Sequence, residues 1–225
     1  MELDLKQKFL LLALDQTKGR FLIDTLSLNY GIIGALLLEL SEKEKLTIKH
    51  KKLVVINSNL TKDDVLDECL NLIIKSKKNR RVKFWINKIA NRANRFKRNI
   101  LQDLKHKNLI NIQKRTYMWG LIKVYRYPVL NTKLVNDIKQ KLKNVVLKNE
   151  KADLESVLFL SLMHSSKLSR ILFLNKKEYR NANKRIKELT KEIEISEAVS
   201  DALKEVQAAV MIATTSAFVG ASAAS

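Results

Sequence analysis

The segment from Lys75 to Arg98 limits most strongly how this chain can fold. It contains eleven Lys or Arg residues and no Asp or Glu, so its charged groups must lie in water or against an anion. Its second half places apolar residues at helical spacing, and they are Val82, Trp85 or Ile86, Ile89, Ala93, Phe96, Ile100 and Leu104. This pattern predicts one amphipathic helix to about Lys107, with a buried apolar stripe and a cationic outer face.

The composition agrees with a polyanionic partner. The 225 residues carry a formal net charge of +20, and the sequence pI is near 10.0. A charge of this size attracts nucleic acid, anionic lipid or acidic proteins. The alternative is that the lysines only form solvated faces without a dedicated ligand.

Neither a disulfide nor a strong membrane span is expected. Cys69 is the only cysteine, and its position on the apolar face of a predicted helix favours a buried thiol in a reducing compartment. No secretory signal is evident at the N-terminus. The uncharged run Leu26–Leu38 is shorter than the roughly 20 residues that a spanning helix needs. Val206–Ser225 is long enough but rich in Ala, Ser and Thr, which favours a close-packed helix over a tail anchor.

Helical periodicity runs through most of the chain. It predicts a mainly α fold, a single compact helical domain over residues 1–225 with one or two short β-hairpins. A capping box of Thr61 and Asp64 is expected to open one of the helices. The other predicted helices are Leu3–Leu14, Phe21–Glu39, Lys133–Lys148, Ala152–Ser166, Lys176–Glu194 and Glu197–Phe218.

Two segments have the composition of hairpins. Leu46–Ile48 and Leu53–Ile56 form the first candidate pair. Leu109–Trp119 and Leu121–Val129 form the second, and they meet at Gly120. This second ribbon is rich in aromatic residues, and an isolated two-stranded ribbon is marginally stable. We expect it either to pack on its own domain or to pair with a partner.

Several blocks, in this order, resemble the Golgi phosphoprotein 3 family. Segment 31–40 reads GIIGALLLEL and is similar to the family's G-x-x-G-x-x-L-x-E-L motif. The other blocks are FLLLAL at 9–14 with Gly19, TKDDVLDECL at 61–70, Trp85 with Ile86, LKHKNLI at 104–110, RYP at 126–128, the apolar helix Val157–Met163, and Glu205 with Val206 before the Ala-rich end. The resemblance therefore extends over almost the whole chain.

The resemblance implies a function at membranes. Eukaryotic members bind phosphatidylinositol 4-phosphate on the cytoplasmic face of a membrane and self-associate through the aromatic hairpin. By this likeness the hairpin Leu109–Val129 is a candidate for self-association. The family's Trp and one Arg of its headgroup pocket correspond to Leu22 and Ile33, which do not match. Its paired arginines correspond to Asn94 and Lys97, so the ligand is either this lipid or another anionic one.

We therefore predict a peripheral membrane protein that binds an anionic phospholipid headgroup through the basic helix. Arginine binds phosphate in a bidentate manner, which lysine cannot do. The predicted headgroup-binding residues are Arg92, Arg95, Lys97, Arg98, Asn94 and Lys88.

Nucleic-acid binding by the same helix and winged-helix-like hairpins is the alternative function. No enzymatic activity, metal or cofactor is expected. His50, His106 and His164 are scattered without metal-ligand spacing, and no nucleophile motif is present. His164 is expected to be a hydrogen-bonded core histidine.

Overall fold

Helices make up most of the described chain. The computed structural model describes residues 2–119, 121–148, 150–195, 206–212 and 215. The helices are α1 (Leu5–Leu12), α2 (Thr25–Glu42), α3 (Asp64–Ile74), α4 (Val82–Ala90), α5 (Ala93–His106), α6 (Thr132–Leu147), α7 (Leu154–Ser165) and α8 (Lys176–Ile195), with a 3₁₀ helix at Leu168–Ile171. Residues 206–212 are also helical.

The strands form two separate antiparallel hairpins. The first joins β1 (Leu46–Lys49) to β2 (Lys52–Val55), and the second joins β3 (Gln113–Tyr117) to β4 (Ile122–Arg126). The prediction of a mainly α fold with short hairpins is confirmed.

The core is built around α2 and α7, which are apolar nearly all round. α2 packs against α1, α3, α4, α5 and α7. The buried apolar side chains of the described ranges form one continuous cluster. Within α2 the side chain of Ile33 is fully buried. That the whole of residues 1–225 forms one domain stays a prediction.

The basic segment forms two helices, so the prediction of one continuous helix is wrong. α4 ends at Ala90. The Arg92 N–H donates to the Ile89 carbonyl over 2.8 Å, and this 3₁₀-type hydrogen bond tightens the turn between the two helices. Asn91 lies in the break and Asn94 is the second residue of α5, and asparagine is a poor helix former. The inward stripe nevertheless stays in phase across the break, because Ile89 and Ala93 are both buried.

The cap of α3 also differs from the prediction. Asp63, not Thr61, is the N-cap, and its Oδ1 accepts from the N–H groups of Val65 and Leu66 over 3.0 and 2.9 Å. The Thr61 hydroxyl instead donates to Asp67 over 2.7 Å. Both Thr and Asp are good N-cap residues. Asp63 is the cap because the helix begins at Asp64, which places the Asp63 side chain next to the free N–H groups of the first turn.

The C-terminal prediction is tested only in part. Most of Glu197–Phe218 and all of 216–225 lie outside the described residues. Within 206–212, Val206 and Val210 are buried as a close-packed helix requires. No helix in the described ranges combines the length and the hydrophobicity that crossing a bilayer requires.

Candidate anion-binding surfaces

α4 and α5 turn their cations outward because their apolar stripes are buried. Trp85, Ile86, Phe96 and Ile100 are almost inaccessible to solvent. The predicted inward face is therefore confirmed. Where each cation lies depends on what surrounds the outer face, and the six predicted binding residues fall into three environments.

Arg92 and Arg95 share one acidic partner on α3. The Arg92 guanidinium lies 3.5 Å and the Arg95 Nε lies 3.0 Å from the carboxylate oxygens of Glu68. Half or more of each arginine side chain stays exposed. Glu68 itself is only 17% exposed, but the arginine side of each pair lies in water, and solvent screening limits such a pair to about 1 kcal/mol. These two arginines border an open cavity of about 670 Å³ that also contains Asp64 and Asp67, so the surface is mixed in charge.

Lys97 and Asn94 lie on a different side of α5. The Lys97 ammonium donates to Asn94 Oδ1 over 2.9 Å and lies 5.7 Å from the centre of the Phe21 ring. Among the described residues, no carboxylate lies within ion-pair distance of Lys97. Burial lowers the pKa of Lys97. Arg98 is exposed and likewise has no described carboxylate partner.

The ring of Phe21 connects Lys97 to the second hairpin. Phe21 and Tyr127 pack with their ring centres 5.7 Å apart. The Tyr127 N–H donates to the Gly19 carbonyl over 2.7 Å. Gly19 has a φ of +59°, and any side chain there would strike the backbone of Tyr127 and Pro128. The turn before α2 is thereby fixed to the base of the hairpin.

The far end of this hairpin is apolar and exposed. Trp119 is fully exposed, and Met118 and Leu121 are exposed over more than half of their surface. Four cations lie on the strands or at their ends, and they are Lys114, Arg115, Lys123 and Arg126. Strands of five residues span about 17 Å, and the exposure of Met118, Trp119 and Leu121 shows that the tip does not pack on the helical body. The hairpin is evident from the sequence, while its exposure follows only from the tertiary structure.

Lys88 belongs to a third environment on α4. Its ammonium lies 5.6 Å from the ring centres of both Phe84 and Trp85. The Arg80 guanidinium lies 5.3 Å from the centre of the same Phe84 ring. Lys88 is thus grouped with Arg80 rather than with Arg92 and Arg95.

A cavity of about 930 Å³ opens between the first hairpin, residues 78–81 and the start of α4. Its cationic residues are Lys49, Lys52, Lys78, Arg80, Arg81 and Lys83. The sequence did not predict this cavity. The run of cations was visible, but its proximity to β1 and β2 was not.

The other predicted roles concern buried groups. His164 Nδ1 lies 3.1 Å from Asn183 Oδ1, and burial together with Lys187 lowers the pKa of His164. Cys69 is fully buried, and burial raises the pKa of its thiol to about 12. Both agree with structural roles. In the described ranges, no group of three or more His, Cys, Asp or Glu side chains is arranged to hold a metal ion.

The two positions that depart from the family's headgroup pocket differ in accessibility. Ile33 is fully buried and Leu22 is partly exposed. Ile33 therefore offers no surface for a ligand. The ring of Phe21, the residue before Leu22 in the chain, lies against the Lys97 ammonium, which donates to Asn94 Oδ1.

Together these features define a mainly α-helical protein with basic surfaces and an exposed apolar hairpin. The family described as Golgi phosphoprotein 3 (GPP34) matches residues 5–206. Because the match covers most of the chain, the protein belongs to this family. No curated protein matches the chain.

Proposed function

We propose that the protein is a peripheral membrane protein that binds an anionic phospholipid headgroup beside the base of the second hairpin. The observation that carries the proposal is the contact of Lys97 with Phe21, next to a hairpin whose tip exposes Met118, Trp119 and Leu121. Cations supply the attraction to the headgroup, and the tip supplies an apolar contact with the acyl region.

The Lys97 ammonium is suited to bind a phosphate because folding partly buries it and places no carboxylate of the described residues beside it. A half-buried ammonium without a negative partner is destabilised, as its lowered pKa indicates. A phosphate at this position would supply the negative partner that Lys97 lacks. Asn94 and Arg98 add an amide and a guanidinium on the same helix. Arg92 and Arg95 can also contribute, since half or more of each side chain stays exposed beside Glu68.

The hairpin tip supports a membrane rather than a soluble ligand. Tryptophan is enriched at membrane interfaces, where its ring is apolar and its N–H still reaches water. Cations flanking the tip approach the headgroups when the tip enters, and each contributes about 1 kcal/mol near an anionic leaflet. The combination predicts reversible, salt-sensitive binding.

Membership of the Golgi phosphoprotein 3 family supports association with the Golgi. Within the proposal, the protein binds the cytoplasmic face and its lipid is phosphatidylinositol 4-phosphate. The departures at Leu22 and Ile33 make the choice of headgroup the part to test first.

Vesicle flotation tests the proposal. Wild-type protein is floated with neutral vesicles, phosphatidylserine vesicles and phosphatidylinositol 4-phosphate vesicles at matched surface charge. We expect binding to both anionic vesicles and stronger binding to the phosphoinositide. The variant Lys97→Gln/Arg98→Gln removes two cations and is expected to lose about 2 kcal/mol, or roughly 30-fold in affinity.

Two further variants distinguish a specific headgroup site at Lys97 from general electrostatic attraction by the net positive charge. Lys176→Gln/Lys177→Gln removes the same charge from exposed positions on α8 and should change binding less than twofold. Trp119→Ser should weaken binding without affecting folding, because the ring is fully exposed. Trp119 emission should also shift to shorter wavelength on vesicle binding, since Trp85 is already buried. Equal losses in both double variants would contradict the proposed site.

Duplex DNA is included as a separate binding partner in a gel-shift titration. Binding to the duplex without binding to any vesicle would replace the proposal with the nucleic-acid alternative. Sedimentation of wild type and Trp119→Ser tests self-association through the hairpin, which we propose as a second role of the same tip. A concentration-dependent dimer that Trp119→Ser abolishes is the expected result.

A further inference from the structure

We propose that the cavity between the first hairpin and the start of α4 is a second anion site, which binds a ligand carrying at least two phosphate groups. It shares no residue with the Lys97 surface, and it does not depend on membrane binding there. Its volume of about 930 Å³ lies within the usual range of small-ligand pockets.

Six cations line this cavity and no acidic residue does. Among the described residues, none of the six forms an ion pair with a carboxylate. Arg92 and Arg95 differ, because Glu68 already lies against them. The cavity therefore has an uncompensated positive charge, which a single phosphate would neutralise only in part.

The backbone fixes the positions of these cations. The Leu53 N–H donates to the Arg80 carbonyl over 2.8 Å, which attaches residues 78–81 to the edge of β2. Leu53 is fully buried, so this attachment is anchored in the core. Lys49 and Lys52 are direct cross-strand partners at the turn. Like charges in this arrangement repel, and a bound anion would relieve the repulsion.

The start of α4 adds to the positive electrostatic potential of the cavity. The N-cap is Arg81, it provides no side-chain hydrogen bond, and the first turn contains no acidic residue. The positive end of the helix dipole thus meets Arg81 and Lys83 without compensation. Phe84, partly exposed beneath Arg80, gives the cavity an apolar wall that orients the guanidinium.

A compact polyphosphate suits this arrangement better than a duplex. Arginine binds phosphate in a bidentate manner and lysine as a point charge, and both types line one concave surface. A duplex presents its phosphates along an extended backbone. The phosphates of a lipid headgroup and those of a soluble inositol phosphate share the chemistry that the cavity recognises.

Isothermal titration at low salt with soluble inositol trisphosphate tests the site, with inorganic phosphate as the single-phosphate reference. The variant Lys78→Gln/Arg80→Gln should weaken trisphosphate binding about tenfold or more, since it removes two charge-assisted contacts. Lys49→Gln/Lys52→Gln should do the same from the hairpin side. All four side chains are exposed, so folding should be retained, and circular dichroism checks this. Lys176→Gln/Lys177→Gln is the matched control and should change the affinity less than twofold.

The source of the phosphates is decided by repeating the titration with vesicles that carry a phosphatidylinositol trisphosphate. Parallel losses for the soluble and vesicle-bound forms would support a lipid headgroup, and losses for the soluble form alone would support a free polyphosphate. Unchanged affinity in both cavity variants, with loss only in Lys97→Gln/Arg98→Gln, would overturn this inference and leave the proposed function standing. Loss of duplex binding in the cavity variants without any trisphosphate binding would overturn it in favour of nucleic acid.

Discussion

Lys6 on α1 is the most deeply buried cation in the described structure, with only 2% of its surface exposed. Its Nζ lies 2.9 Å from Glu39, 2.7 Å from Asp63 and 3.0 Å from Asp4. Burial by itself lowers the pKa of Lys6, but the carboxylates of Glu39 and Asp63 outweigh it and hold the pKa above its ordinary value. Lys6 therefore joins α1, α2 and the start of α3 through charge.

Removing this cation should be costly. Lys6→Met leaves Glu39 buried without a positive partner, and breaking a buried pair in this way costs about 3–5 kcal/mol. Urea unfolding monitored by circular dichroism measures the loss. Lys8→Met removes the less deeply buried pair with Glu155 and should cost less. The double variant Lys6→Met/Glu39→Leu should recover stability, and a failure to recover would contradict the electrostatic account.

Asp153 gives the protein a pH-dependent helix cap. Its carboxylate accepts from the Ser156 N–H over 2.7 Å and from Lys141 over 2.6 Å. Burial alone would raise the pKa of Asp153, but these hydrogen bonds lower it to about 2. Because the folded pKa lies below the unfolded value, the contribution is complete above about pH 4 and is lost as the pH falls toward 2.

Two substitutions separate the cap from the charge. Asp153→Ala should cost about 1 kcal/mol at pH 7, a typical value for losing an N-cap. Asp153→Asn keeps a good cap and should cost less, and it removes this group's pH dependence between pH 4 and 2. Unfolding free energies at pH 7, 3 and 2 measure both effects. Equal losses at pH 7 would contradict the role of the cap.

At the scale of elements, the contact of α1 with α2 depends on Gly31. A side chain at this position would overlap the ring of Phe9, which is fully buried. Helix propensity alone predicts that Gly31→Ala stabilises the protein by about 1 kcal/mol. We expect the opposite sign, a loss of about 1–3 kcal/mol in the free energy of unfolding, because the added methyl group would overpack the core against Phe9. Thermal unfolding distinguishes the two.

The ring of Phe9 provides the control for this prediction. Phe9→Leu should lose stability on its own by leaving a cavity. Adding Gly31→Ala to Phe9→Leu should then cost less than it does in the wild type, because the overlap is gone. Additive losses would show that Gly31 matters for another reason.

The basic segment shows what periodicity can and cannot predict at this scale. The inward residues of α4 and α5 were identified correctly, since burial of one stripe depends on local spacing. The break at Asn91 was missed because the apolar phase continues through it. The ion pairs that Arg92 and Arg95 form with Glu68 were also missed, since Glu68 lies on another helix, α3.

At the scale of the whole molecule, the net charge of +20 makes the folded state repel itself. We expect the thermal midpoint to rise when sodium chloride increases from low to moderate concentration, because screening weakens this repulsion. Vesicle affinity should fall over the same range. Differential scanning fluorimetry and flotation measure the two trends. A midpoint that falls with salt would indicate that attractive ion pairs outweigh the repulsion.

The sequence by itself determined the fold class, both hairpins, the buried stripes and the family resemblance. Each of these depends on residues that are near one another in the chain. Only the tertiary structure decided which of the discussed cations lie beside a carboxylate and which do not. It brought Glu68 to Arg92 and Arg95, left Lys97 against Phe21, and joined residues 49–52 to residues 78–83 in one cavity. Charges act through space, so their partners depend on how distant elements pack and not on the spacing within any one of them.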